Sequence, residues 1–180
     1  MSLIEIGFLG RGGQGVVVGS EILGRACFEE GNYPQCYSLF GGERRGAPVA
    51  AFVRVSDKKI YLKCDIERPD HLILFDPSLF YEKQIREQVA DGGVLLFNTE
   101  EIRTTQALKD YRIGKINALE ISRRNGLGSI VNTAILGAYI GLTQIVKLDT
   151  LLKTIKKNIP SDIDQNVNAA KEAYEEVSIL

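Results

Sequence analysis

The sequence is poor in the residues that usually carry metal or redox chemistry. Its 180 residues include no tryptophan, one histidine, one methionine and three cysteines. Cys27, Cys36 and Cys64 are widely and irregularly spaced, without the Cys-x-x-Cys pair that is typical of zinc and iron–sulfur sites. We therefore expect reduced, structural thiols and no metal site on this chain.

The single histidine offers no obvious catalytic base. His71 follows Asp70 at the start of an apolar run, which is typical of a residue that enters a strand. A Ser-His-Asp mechanism would have to use this one side chain. We expect no catalytic residue on this chain.

The sequence also lacks a strong charge imbalance and a long apolar run. Its formal net charge is -1, which gives no general attraction to nucleic acid or to anionic lipid. The longest apolar run, Ile130–Leu142, contains Asn132 and Thr133 and is shorter than the roughly 20 residues of a spanning helix. No secretion signal is visible, so we expect a cytoplasmic protein with a single domain over residues 1–180.

The distribution of apolar residues predicts an α/β fold. A strand over residues 4–9 leads through a glycine cluster into a helix over residues 14–30. Residues 72–75 and 94–97 are continuous apolar runs, typical of parallel strands covered on both faces, and Asp76 begins a helix between them. We expect a single doubly wound, mostly parallel sheet flanked by helices, which is a Rossmann-like three-layer arrangement.

The remaining elements follow from local patterns. Residues 48–55 and 60–63 predict an antiparallel hairpin, and residues 112–119 predict a weaker strand. A helix over residues 129–142 carries small residues spaced four apart, including Gly137 and Gly141, which predicts close contact with a neighbouring element. A last amphipathic helix is predicted after Pro160, and its apolar stripe is Ile163, Val167, Ala170, Tyr174 and Val177.

A glycine-rich segment joins the first predicted strand to the first predicted helix. This candidate cofactor-binding segment consists of Gly10, Arg11, Gly12, Gly13, Gln14 and Gly15. Backbone N–H groups in such a turn can bind an anion, and the missing Cβ atoms allow a close approach. The acidic residue that a dinucleotide site needs about 20 positions later is not convincingly present. A tight turn and a contact with another subunit remain as alternatives.

A second glycine-framed segment carries three charges in a row. It consists of Gly41, Gly42, Glu43, Arg44, Arg45 and Gly46, and Pro48 follows before a predicted strand. Two guanidinium groups could hold a carboxylate, a phosphate or an acidic patch of a partner, so this segment is a candidate interface or ligand clamp. An ordinary solvated turn is the alternative.

Taken together, the two segments resemble the gamma subunits of pyruvate and related 2-oxoacid:ferredoxin oxidoreductases. The resemblance rests on residues 10–16 and 40–49 in this order. It extends through residues 51–54, 68–70 and 76–78, and more loosely through Asn132 and residues 136–138, and so covers nearly the whole chain.

This resemblance implies a multi-subunit enzyme. The complex would decarboxylate a 2-oxoacid on thiamine diphosphate with magnesium, pass electrons through iron–sulfur clusters to ferredoxin, and form an acyl-CoA. In this family the thiamine diphosphate and the clusters lie on other subunits, so this chain would be inactive alone. It would complete the assembly near the active site and help to hold CoA. Its motifs are closer to those of enzymes for pyruvate or branched-chain 2-oxoacids than to those for 2-oxoglutarate.

Two other functions remain open at this point. A stand-alone nucleotide-binding oxidoreductase would explain the glycine segment. An assembly subunit that binds no small molecule would explain both segments as protein contacts.

Overall fold

The computed structural model describes residues 2–40, 46–82, 85–102 and 105–180. Within these ranges the chain forms a seven-stranded sheet with the order β2-β3-β1-β4-β5-β6-β7. The strands are β1 Ile4–Arg11, β2 Tyr33–Phe40, β3 Pro48–Ser56, β4 His71–Leu74, β5 Val94–Asn98, β6 Arg112–Ile116 and β7 Ser178–Ile179. Strands β1, β4, β5 and β6 are parallel, whereas β2, β3 and β7 pair antiparallel with their neighbours.

Helices cover both faces of this sheet. They are α1 Val16–Glu29, α2 Ile85–Gln88, α3 Ala118–Arg124, α4 Asn132–Thr143, α5 Leu148–Asn158 and α6 Ile163–Glu176. Residues of α1, α3, α4, α5 and α6 pack into the core on one face, and α2 packs on the other. The predicted doubly wound α/β architecture with a mostly parallel centre is therefore confirmed.

The continuous apolar runs are explained by the two cores. In β4, Ile73 faces the large helical core, whereas Leu72 and Leu74 face the smaller core under α2. In β5, Leu96 faces the first core and Leu95 the second. A strand that is covered on both faces needs apolar side chains at every position, which is why the sequence shows no alternation here.

The predicted hairpin is wrong in its partner. Strand β3 forms where it was expected, but it pairs with β1 on one side and with β2 on the other. Residues 60–63 form no strand. The following segment lies against the sheet, where Cys64 O accepts a hydrogen bond from Arg54 and Ile66 N donates to Tyr37 Oη.

This arrangement accommodates a buried charge near the end of β3. Arg54 is 1% exposed, and its Nε lies 2.7 Å from Glu5 Oε1. A buried guanidinium must satisfy its remaining donors, and here Gln35 and the backbone of Cys64 supply the acceptors. The strand β2 was not predicted because Pro34, Gln35 and Ser38 interrupt its apolar pattern.

Two helices, α3 and α5, were not predicted, and the bounds of α4 and α6 differ from the predicted ones. The predicted strand over residues 112–119 ends at Ile116, and α3 follows it with Arg123 and Arg124 in its last turn. Helix α4 begins at Asn132, helix α5 was not predicted, and the last helix ends at Glu176 before the short strand β7. In this last helix Asn166, Ala169, Ala170 and Ala173 are the buried residues, whereas Ile163 is 38% exposed. Small side chains at these positions let α6 lie against α4.

The close approach of α4 and α6 confirms the role predicted for the helical glycines. A Cβ atom on Gly137 would lie 1.9 Å from Ala170 O, and one on Gly141 would lie 2.7 Å from Tyr174 O. The backbones of the two helices are thus in contact. This contact compensates for the intrinsic cost of glycine in a helix.

We expect Gly137→Ala to destabilise the chain by about 1–3 kcal/mol, because the added methyl group forces α4 and α6 apart. The control is Gly19→Ala in α1, where the nearest atom, Phe75 Cζ, would lie 3.3 Å from the added Cβ atom. A shift of this side chain by a few tenths of an ångström makes room for the methyl group, so the loss of stability should be smaller than in Gly137→Ala. Chemical denaturation of both variants measures the difference. Equal stability of Gly137→Ala and the wild type would show that the helices adjust freely.

Candidate functional site at the carboxyl edge of the sheet

The glycine-rich segment lies at the carboxyl end of β1, where the chain turns into α1. Gly13 and Gly15 have φ angles of 99° and 77°, a conformation that residues with a Cβ atom rarely adopt. A Cβ atom on Gly10 would lie 2.6 Å from Val16 Cγ2, and one on Gly15 would lie 2.7 Å from Asn132 Nδ2. The geometry of the turn therefore requires glycine at positions 10, 13 and 15, whether or not a ligand binds there.

The side chain of Arg11 joins this turn to two other segments. Its Nε donates a hydrogen bond to Asp76 Oδ2 at 2.5 Å, and its Nη2 donates to Ser78 Oγ at 3.0 Å. Its Nη1 donates to the carbonyl oxygen of Gly46 at 3.2 Å. The guanidinium group therefore links the ends of β1 and β4 to the start of β3 and is neutralised by Asp76.

The carboxyl group of Asp76 is held in its ionised form. Burial by itself raises its pKa, but hydrogen bonds from Ser78 and from Arg11 outweigh burial and lower the pKa below its usual value. The same carboxylate accepts the backbone N–H of Ser78 at 3.0 Å and caps the 3-10 turn Pro77–Leu79. The predicted capping role of Asp76 is confirmed, on a shorter turn than expected.

The structure brings the two predicted segments together. Gly12 N donates to Ala47 O at 2.9 Å, and Gly46 N donates to Gly12 O at 3.1 Å. The glycine turn and the end of the charged segment are thus one hydrogen-bonded unit. Gly41, Gly42, Glu43, Arg44 and Arg45 lie outside the described residues.

Two apolar hollows flank this unit. A groove of about 350 Å³ lies on the α1 side, and its lining is Arg11, Gly12, Gly13, Gly15, Val16, Val17, Val18 and Val49. A hollow of about 490 Å³ lies near the other face of the sheet, and its lining includes Leu39, which is 49% exposed, and Tyr81, which is 64% exposed. Contiguous exposed apolar surface of this kind is typical of a protein contact.

The topology disfavours a dinucleotide at the glycine turn. In the dinucleotide-binding fold a parallel strand next to β1 carries the acid that binds the ribose. In this chain, β1 lies between β3 and β4. The strand β3 is antiparallel to β1, and β2 lies beyond β3 at the edge of the sheet. On the other side, the Arg11–Asp76 pair spans the ends of β1 and β4, where a ligand of such a fold usually lies.

His71, Cys27 and Cys36 do not belong to this site. His71 is at the amino end of β4, the opposite edge of the sheet, where its Nδ1 lies 2.6 Å from Tyr139 Oη and burial lowers its pKa to about 4. Burial raises the pKa of Cys27 to about 12 and that of Cys36 to about 11.

Within the described ranges, no group of three metal-ligating side chains is close enough to hold an ion. No helix in those ranges is both long and apolar enough to cross a membrane.

Sequence reasoning did not find the position of Asn132. This residue begins α4 and is 4% exposed, and its side chain packs directly against Gly15. The two residues are far apart in the sequence, so no local pattern could have paired them. The available signals were a polar residue at the start of an otherwise apolar run and the loose family resemblance at this position.

Comparison with known proteins shows similarity along the whole chain. The family model for pyruvate ferredoxin/flavodoxin oxidoreductase matches residues 5–176. Pyruvate synthase subunit PorC of Methanothermobacter marburgensis is 42% identical, over 97% of this chain and 98% of its own. The pyruvate/ketoisovalerate oxidoreductases common subunit gamma of Thermococcus kodakarensis is 40% identical, over 96% of each chain. The crystal structure of pyruvate oxidoreductase subunit PORC from Thermotoga maritima is similar with a TM-score of 0.85 and 32% identity, over 99% of both chains.

We expect Asp76→Asn to destabilise the chain by about 1 kcal/mol at neutral pH, because both members of its pair with Arg11 are partly exposed. The folded-state pKa of Asp76 is lowered, so the contribution is present above the ordinary value of about 3.9 and is lost as the pH falls through the folded value. The unfolding free energies of the two proteins should therefore begin to converge as the pH falls below about 4 and become equal below the folded-state pKa of Asp76. A difference that persists unchanged in acid would contradict this.

Proposed function

The chain belongs to the pyruvate ferredoxin/flavodoxin oxidoreductase family as a gamma-type subunit, and we propose that its complex oxidises pyruvate or a branched-chain 2-oxoacid to an acyl-CoA and reduces ferredoxin. The observation that carries this proposal is similarity along nearly the full length of proteins named as single subunits. One of these relatives is named as common to pyruvate and ketoisovalerate oxidoreductases. A subunit shared by two such enzymes cannot by itself select between their substrates, so selection would lie on other chains.

The role that we propose for this chain is to complete the assembly beside the active site. The surface concerned comprises the glycine turn, Gly10–Gly15, and the charged segment, Gly41–Gly46. Three features support this role. Hydrogen bonds join Gly12 to residues 46–47, and exposed apolar hollows lie on both sides of this unit. The charge of Arg11 is neutralised by its ion pair with Asp76. Thiamine diphosphate, magnesium and the iron–sulfur clusters would be supplied by partner subunits in the cytoplasm.

The glycine turn also offers a place for part of CoA. Backbone N–H groups at the start of α1 can donate hydrogen bonds to an anionic group. Arg44 and Arg45 follow in the adjoining segment and would supply the positive charge that the neutralised Arg11 does not. A stand-alone dinucleotide enzyme is the weaker candidate, because the antiparallel β3 occupies the place of the strand that would bind the ribose.

Purification from the native cell tests the function as a whole. We expect chains that carry iron and thiamine diphosphate to be recovered with this one, and 2-oxoacid oxidation to require all of them. The isolated chain should be colourless, and NAD, NADP or FAD should leave its thermal midpoint unchanged, because a ligand that binds the folded state would raise it. Recovery of the chain alone, together with a dinucleotide-dependent rise in midpoint, would instead favour the stand-alone enzyme.

We expect Gly13→Val to impair assembly or to raise the CoA concentration required for turnover. A β-branched side chain at a φ of 99° strains the turn and narrows the groove. The matched control is Gly31→Val, which has a similar backbone strain (φ 84°) at the other end of α1. No atom lies within 4 Å of the Cβ atom that this change adds. Failed assembly supports a contact surface, and a raised CoA requirement with an intact complex supports a ligand site. If Gly13→Val and Gly31→Val behave alike in both assays, neither role holds.

We expect the double variant Arg44→Ala, Arg45→Ala to leave the isolated chain folded while it weakens the complex or its use of CoA. Truncation of a surface side chain that makes no special contact changes stability by about 0.5 kcal/mol or less, whereas loss of a desolvated charge pair across an interface costs about 2–5 kcal/mol. The control is Lys58→Ala, Lys59→Ala, which removes the same charge from an exposed turn at the opposite edge of the sheet. Thermal midpoint, complex yield and CoA dependence are measured for both. If only the thermal midpoint changes, the charged residues Glu43, Arg44 and Arg45 have a structural role. If none of the three measurements changes, they belong to an ordinary surface turn.

A further inference from the structure

Strand β2 forms one edge of the sheet and has a long side without a neighbouring strand. In the part of the chain that the structure describes, only β3 pairs with it. The eight residues of β2 include no charged side chain. Edge strands are usually protected by charged residues or by short length, and β7 at the other edge has only two residues. The edge of β2 therefore has the features of a strand that pairs with another chain.

The register of the sheet shows which backbone groups of β2 point outward. Phe75 N donates to Leu9 O, and Glu5 N donates to Asp70 Oδ2. The odd-numbered residues of β1 therefore direct their backbone groups toward β4, and the even-numbered residues direct theirs toward β3. Because these directions alternate along each strand, the registers of β1 with β3 and of β3 with β2 make the even-numbered residues of β2 point outward.

The outward positions of β2 suit an edge that is open for pairing. Pro34 has no N–H group and occupies one of them, as is usual for proline in an edge strand. The segment after β3 contacts β2 through side chains, since Gln35 Nε2 donates to Leu62 O and Tyr37 Oη accepts from Ile66 N. This segment therefore covers a face of β2 and not its edge. The outward N–H groups of the strand belong to Cys36, Ser38 and Phe40.

Apolar hollows lie beside this edge on both faces of the sheet. On the α1 face, a hollow of about 430 Å³ is lined by residues of α1 and α5 together with Pro34 and Cys36. It includes Phe28, whose side chain is 67% exposed. On the other face, the hollow described above includes Leu39. Successive side chains of an added strand point to opposite faces, so its apolar residues would reach both hollows.

A second copy of this chain fits the edge poorly. Twofold pairing of two β2 strands would place the two α1 helices antiparallel beside each other. A Cβ atom on Gly24 would lie 2.4 Å from Cys36 Sγ, so the middle of β2 is level with the middle of α1. The exposed charges of α1 would then meet their own kind, with Arg25 near Arg25 and Glu21 near Glu29. Like charges that face each other oppose association.

We propose that β2 pairs with an extended, uncharged strand of a partner subunit. This inference rests on the proposed function and deepens it, because it names the kind of segment that the partner supplies. The charged segment, Gly41–Gly46, follows β2 directly, and the hollow that includes Leu39 also includes Val49 and Tyr81. The added strand would therefore be continuous with the contact surface proposed for the glycine turn and the charged segment. Its backbone bonds to β2, and its apolar side chains fill the hollows.

Hydrogen exchange measures this pairing in the wild-type protein. In the isolated chain, the outward N–H groups of Cys36 and Ser38 should exchange rapidly. In the complex from the native cell, identified by its iron and thiamine diphosphate, their exchange should slow by about tenfold or more. Unchanged exchange at both positions in an intact complex overturns the inference and leaves the gamma-subunit function standing. If no such complex is recovered, the proposed function fails and this inference fails with it.

The variant Ser38→Pro tests the same bond. It removes an N–H group that the sheet does not use, so the isolated chain should keep its thermal midpoint, whereas recovery of partner chains should fall by about tenfold or more. The matched control is Ser38→Thr, which keeps the N–H group and should assemble like the wild type. Equal assembly of both variants overturns the inference.

Two further results are decisive. If Ser38→Pro also lowers the thermal midpoint, hydrogen exchange in the wild-type complex decides, because it needs no variant. Sedimentation of the isolated chains identifies the occupant. A wild-type dimer that becomes a monomer in Ser38→Pro would assign the edge to a second copy and overturn the inference.

Discussion

The ion pair between Arg11 and Asp76 is the interaction on which the candidate site depends. It joins the ends of two adjacent parallel strands at a distance of 2.5 Å, and the same guanidinium holds the carbonyl group of Gly46 and the hydroxyl group of Ser78. Three segments that are distant in the sequence therefore meet at one edge of the sheet. Loss of this pair would remove the side-chain link between the glycine turn, the start of β3 and the turn after β4.

The insertion of β3 beside β1 changes the meaning of the glycine turn. A strand-turn-helix unit with this spacing usually serves a dinucleotide, but that use requires a parallel neighbour for β1. The antiparallel β3 removes that neighbour and leaves an apolar rim in its place, which includes Val49 and Leu39. In our proposal, the same local motif therefore serves a protein contact and part of CoA instead of a dinucleotide.

The helical layer fixes the remaining half of the site. Gly137 and Gly141 let α4 lie directly on α6, and Thr133 Oγ1 donates to Asn166 Oδ1 at 2.9 Å near the start of both helices. This packing determines where α4 begins, and the beginning of α4 determines where Asn132 meets Gly15. The stability of a helix pair and the position of Asn132 beside the glycine turn are therefore set by the same contacts.

The sequence by itself determined the class of fold, the glycine turn between β1 and α1, the buried strands β4 and β5, and the family through two motifs in order. These features depend on neighbours in the chain, since periodicity, turn residues and caps act over a few positions. Only the tertiary structure decided the partner of β3, the engagement of Arg11 by Asp76 across 65 positions, the helix α5 and the contact of Asn132 with Gly15. Each of these depends on the competition of many distant contacts for the same space, and a local pattern carries no record of which contact wins.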